Sequence, residues 1–186
     1  MSHEGRLLVA TPLIGDPNFE HTVVLLVHHD EDGAFGIVVN RPSETSVVEC
    51  LPGWADVVSP PGVVFFGGPV NGESVIGLGR RAPEAAPSAV AASFEPVVGE
   101  YGTVDLHGPP PLDAPALLGL RLFAGSAGWA PDQLEDEIAD GAWWAVDARA
   151  GDLDTVDPSG LWARVLRRQV GEVAWFANCP IDPSQN

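Results

Sequence analysis

The chain contains no lysine: all nine basic residues are arginine, set against 26 acidic ones in 186 residues. That absence excludes every chemistry needing a side-chain ammonium, from a P-loop lysine to a Schiff base. Positive charge is scarce in any form, and the formal net charge of −17 sets up a field that repels nucleic-acid phosphates and anionic membrane surfaces. No apolar run approaches the roughly 20 residues needed to span a bilayer. The opening MSHEGRLLVATPL carries too short an apolar stretch for a secretory leader, so a cytoplasmic protein with no membrane role is expected. Cysteine is nearly absent too. Cys50 and Cys179 lie far apart with no CxxC spacing, which predicts two reduced, buried thiols and no disulfide.

What is present fits one core, because 186 residues are enough for one substantial domain and short for two. Residues 1–186 are therefore read as a single domain. Thr22–His29 (TVVLLVHH) is apolar at almost every position, as in a strand covered on both faces. Asp30–Gly33 supplies a turn into a second strand, Ala34–Asn40, giving a hairpin. Arg41, before Pro42, must be extended, and Ser43 is expected to cap a short helix that buries Val47, Val48 and Leu51 and ends at Pro52. Val63–Phe66 reads as a strand whose expected partner, across the Gly67-Gly68-Pro69 turn, is Ser74–Leu78. The proline-rich stretch from Arg81 to Pro115 is expected to run as extended surface segments with short strands such as Thr103–Leu106. Leu120–Gly125 alternates like a strand, and the small residues through Gly128 suit a turn. A helix starting at Pro131 puts Leu134 and Ile138 on one face and closes at Gly141. After a strand at Trp143–Val146, a last helix from Asp157 buries Leu161, Trp162, Val165 and Leu166. Strands and helices in this irregular order indicate an α+β fold.

Three motifs stand out in order: ATP...DP.F..TV.....HD..GA.G.VVNRP from Ala10, FFGGPV from Phe65, and G.AGW.P.QLE.E...G.WW from Gly125. With them the chain resembles the YqgE/AlgH family from Arg6 to about Trp162, the middle from Arg80 to Ala116 carrying little of the likeness. The resemblance implies a single α+β domain with a strongly curved, barrel-like mixed or antiparallel sheet flanked by helices, in bacterial cytoplasm, with no established enzyme activity. Some members are labelled transcriptional regulators, which describes a pathway effect rather than a DNA-binding surface. Family members often carry an aromatic residue where this chain has Ser126.

Several residues invite chemistry. His28, His29, Asp30 and Asp32 crowd together, but neighbouring strand residues point to opposite faces, so no metal site is expected; nor does any cofactor motif occur. Ser126, in AGSAG, is related to a nucleophile elbow, yet a hydrolase histidine follows its serine and the last histidine here is His107. Arg164, Arg167 and Arg168 share a helix face that a DNA-contacting regulator would use, although a solvated helix end explains them. Arg41 is the only basic residue between Arg6 and Arg80, either paired with a carboxylate or held for an anion. Gly67 and Gly68 form a turn whose N–H groups can approach an anion. Trp129, Gln133 and Glu135 gather at a helix start, where Gln133 can also cap the Ala130 N–H. The reading that unites them is a non-enzymatic binding or regulatory protein whose protein partner or small anionic ligand docks where Asn40, Arg41, Gly67, Gly68, Trp129, Gln133 and Glu135 converge.

Overall fold

The computed structural model describes residues 2–85, 94–108 and 116–178, and ten strands form one strongly curled sheet. Strands β1 (Arg6–Ala10), β2 (Val23–Asp30) and β3 (Gly33–Val38) come first. Leu7, Val9, Val23 and Leu25 enter one core, while Leu8, Ala10, Val24 and Leu26 enter another on the opposite face. Because a strand alternates faces at each residue, a run apolar at every position must be covered twice, as the sequence indicates. Asp30 pairs with Gly33 across the turn that closes the expected hairpin.

The next segment departs from expectation. Ser43 does not cap a helix: it lies in strand β4 (Pro42–Ser46), its hydroxyl donating to the Val64 carbonyl at 2.6 Å. Helix α1 (Val47–Cys50) is a single turn that buries Val47 but leaves Val48 exposed; it ends before Pro52 as expected, and Pro52 opens a 3-10 turn, Pro52–Val57. The Pro42–Ser46 segment instead pairs with the following strand at Pro42 and Ser46, and the Ser43 hydroxyl is used on that strand's backbone, where it is as well suited as at a helix cap. With only one turn of helix, Cys50 faces solvent and is not the buried thiol expected; Cys179 lies outside the described residues.

Strands β5 (Val63–Phe66), β6 (Val70–Arg81), β7 (Phe94–Val98) and β8 (Tyr101–Val104) follow, then β9 (Leu117–Trp129), helix α2 (Gln133–Ala139), β10 (Trp143–Asp147), helix α3 (Leu161–Arg167) and a 3-10 segment, Gly171–Asn178. The sheet order is β10-β1-β2-β3-β9-β6-β8-β7, with β4 attached through β5. Ser74–Leu78 does not pair with Val63–Phe66. Both strands pair with β9 instead, β5 running parallel along one edge and β6 antiparallel along the other. Nor do Gly125–Gly128 form a turn. They continue β9 to its end against β3, with Gly125 at φ 73° absorbing the bend inside the strand. Pro96 sits in β7, an edge strand where a missing N–H costs nothing, while Pro87, Pro109, Pro110, Pro111 and Pro115 lie outside the described residues.

Helix α3 covers the first core with Leu161, Trp162, Val165 and Leu166, and the Trp162 indole donates to the Ala10 carbonyl at 2.9 Å. It begins at Leu161 instead of Asp157, whose carboxylate accepts the Gly160 N–H in the turn before it. Helix α2 covers the second core through Leu134, and Gly141 closes it at φ 80° as expected. Trp54 of the 3-10 turn covers a third, against Leu120 and Leu122 of β9.

Candidate functional site

The three sequence motifs meet at the seam where β3 hands the edge of β9 over to β5. There Val38 N–H donates to the Gly67 carbonyl at 2.8 Å, Gly67 N–H to the Ala124 carbonyl at 2.7 Å, and Phe66 N–H to the Arg41 carbonyl at 2.8 Å. A Cβ on Gly68 would collide with the Ser126 carbonyl, and one on Gly125 with the Gly68 carbonyl. Two backbones thus approach more closely than side chains allow. Close packing accounts for the glycines, and the Gly67 N–H is already committed within the sheet.

Asn40 is buried at this seam and is a structural bracket, its amide oxygen accepting the Val23 N–H at 2.8 Å and its amide nitrogen donating to the His21 carbonyl at 2.9 Å. Among the described residues Arg41 forms no ion pair with a carboxylate. Its guanidinium donates to three backbone carbonyls, those of Asn18 (2.6 Å), Glu20 (3.0 Å) and Pro17 (3.4 Å), and so pins the loop before β2.

That loop carries Phe19 onto two indoles. Phe19 lies edge-on to Trp143 with ring centroids 5.4 Å apart, stacks on Trp129 at 6.5 Å, and the two tryptophans are perpendicular at 5.9 Å. Trp129 and Trp143 are almost fully buried, yet each indole N–H must find an acceptor. Both donate to one oxygen of Glu137, Trp129 at 2.9 Å and Trp143 at 2.8 Å, while Gln133 donates to its other oxygen at 2.9 Å. Gln133 also accepts the Ala130 N–H at 3.0 Å, the cap expected of it, although the helix starts at Gln133 itself with Asp132 as its left-handed N-cap. The rings edge a cleft of about 340 Å³ whose lining includes Asp16, Phe19, Pro69, Val70, Trp129 and Gln133. Of the candidate residues, Trp129 and Gln133 line it directly and Gly68 sits beside it in the turn to Pro69. Asn40 and Arg41 act on it only through the backbone they hold. Glu135 lies elsewhere, accepting from His29 at 2.8 Å in a separate pocket with Ser2 and Asp132.

Ser126 is buried within β9 opposite Val70, with no strand-to-helix elbow around it. Arg168 pairs with Asp152 at 2.7 Å, and Arg164 donates to the Thr155 hydroxyl at 2.7 Å. His28 pairs with Asp30 and Glu4, whereas His29 is buried with its Nδ1 accepting the His3 N–H at 3.0 Å.

Sequence reasoning missed Glu137, because only the fold brings two indoles to one carboxylate. It missed Arg121 as well, a buried arginine whose guanidinium lies 5.0 Å over the Phe65 ring and donates to the carbonyls of Pro60 and Thr155. It also missed a larger groove of about 770 Å³, where Phe66, Ala124 and Val75 align across β5, β9 and β6.

Residues 7–174 match a family model described as AlgH-like. A UPF0301 protein of Streptomyces avermitilis is 50% identical over 182 residues, covering 98% of this chain and 94% of that protein. A crystal structure of a Corynebacterium diphtheriae protein superposes with a TM-score of 0.87 at 32% identity, covering 95% of this chain and 92% of the other. The solution structure of the AlgH protein from Pseudomonas aeruginosa superposes with a TM-score of 0.64 at 29% identity, covering 96% and 95%.

Proposed function

The chain belongs to the AlgH-like family, and we propose that it is a non-enzymatic binding or regulatory protein of the bacterial cytoplasm whose protein partner docks in the aromatic cleft at the sheet seam. One observation carries this reading: three stretches far apart in sequence, represented by Phe19, by Pro69 and Val70, and by Trp129 and Gln133, meet around one concave surface edged by aromatic rings. Clusters of this composition are the anchors that protein recognition uses. Two facts favour a protein partner over a small anion. Arg41, the cation an anion would need, is spent on carbonyls, and among the described residues no basic side chain lines the cleft. A hydrolase at Ser126 draws no support from a buried serine in mid-strand, and a DNA-contacting face draws none from Arg164 and Arg168, which are engaged within the domain.

Val70 is 44% exposed on the rim and Leu118 is 51% exposed elsewhere on β9, which gives a matched pair of variants. In cross-linking capture from the source cells, Val70→Glu is expected to lose a partner that the parent protein and Leu118→Glu both retain. Retention by Val70→Glu, with circular dichroism showing it folded, removes the cleft from the reading.

A further inference from the structure

The charges in the cleft say what it receives. Glu137 takes three hydrogen bonds, all from neutral donors, two indoles and an amide. The Asp16 carboxylate on the same lining accepts the Asn18 N–H at 2.8 Å, and the guanidinium that feels its charge, that of Arg41, is held by the carbonyls of Asn18 and Glu20. Among the described residues neither carboxylate forms an ion pair, and no arginine or histidine lines the cleft. Aromatic faces carry negative potential of their own. The combined field therefore repels an anion and favours a cation, in a chain whose net charge of −17 adds the same sign at long range.

Size narrows the class. At about 340 Å³ the cleft lies near the lower end of ligand pockets, which run from about 300 to 1,000 Å³, and suits one long side chain better than a nucleotide. Between the two cationic side chains the planar guanidinium fits better, because it stacks on aromatic rings and its fork can serve carboxylates on two sides. We propose that the cleft receives an arginine side chain of the protein partner, lodged against Phe19 and the tryptophans with its charge on Asp16 and Glu137. This rests on the docking role proposed above.

The test titrates the full chain with butylguanidinium, n-pentanol and inorganic phosphate, following the indole N–H NMR signals of Trp129 and Trp143. Butylguanidinium is expected to shift both signals saturably, with n-pentanol at least about fivefold weaker and phosphate without effect. Asp16→Asn, an exposed change that keeps the oxygen accepting from Asn18, is expected to weaken butylguanidinium about fivefold. Glu137→Gln should weaken it further, and Asp16→Asn serves alone if that variant does not fold. Equal binding of n-pentanol, a shift by phosphate, or no shift by butylguanidinium overturns the proposal. If it is overturned while Val70→Glu still loses its partner, docking at the cleft stands and only the arginine falls. If butylguanidinium binds but Val70→Glu keeps its partner, the cation site stands and docking falls.

Discussion

Gly68 and Gly125 each occupy a position where a single methyl group would strike the backbone at or beside the other, and each has a positive φ, 149° and 73°. Gly68→Ala should therefore cost on the order of 1–3 kcal/mol from strain alone. For a domain of this size that lowers the melting temperature by roughly 2–4 °C per kcal/mol. An unchanged melting temperature in thermal denaturation would mean that the seam gives way easily, and that the glycines have another reason to be there. Gly67-Gly68-Pro69 reads as a turn, but it carries the chain from one edge of β9 to the other, and the neighbour that forbids a side chain lies on β9, nearly 60 positions away (Gly68 to Ser126). Trp129 illustrates the same limit. It reads as an aromatic anchor at a helix start, while its acceptor Glu137 looks like one more acid on an acidic helix.

The β2–β3 hairpin was legible as an element because its signal is local: a strand period, a DEDG turn and a returning strand. Its end carries a histidine whose titration is set by its neighbours. The hydrogen bond of His28 to Asp30 at 2.9 Å, with Glu4 at 3.3 Å, holds the imidazole above its ordinary value of 6.5. A histidine whose folded value is raised contributes stability that is complete below the unfolded value and lost as pH rises through the folded one. NMR titration of the ring protons should place His28 above 6.5 and His3, lowered chiefly by burial, below it. Asp30→Asn should bring His28 back toward 6.5, and a midpoint unmoved by that change would show that Asp30 is not the cause. The pairing of β5 was not legible in the same way. Val63–Phe66 and Ser74–Leu78 look like hairpin partners across a glycine turn, and only the 13-residue β9, with two edges to offer, separates them. Ser43 failed as a cap for a related reason, since a residue suited to capping is equally suited to bonding a neighbouring strand.

For the whole molecule, the net charge of −17 and an arginine set largely engaged in internal contacts predict no shift of duplex DNA at physiological salt. A submicromolar, sequence-specific complex weakened by neutralising Arg164, Arg167 and Arg168 would reverse that expectation and turn attention to α3. The same composition supplies the field in which the cleft prefers a cation, so one property of the chain bears on both partners. The α+β class, the twice-covered central strands, the hairpin and the apolar face of α3 were set by the sequence alone, because each depends on periodicity within a dozen residues. Only the tertiary structure decided that β9 gathers the edges of β3, β5 and β6, and that Arg41 holds the loop before β2. Only it joins Phe19, Trp129, Trp143 and Glu137 in one cleft while Glu135 points elsewhere. Those outcomes turn on which long-range pairings satisfy the backbone and the buried indoles together, and no local pattern carries that information.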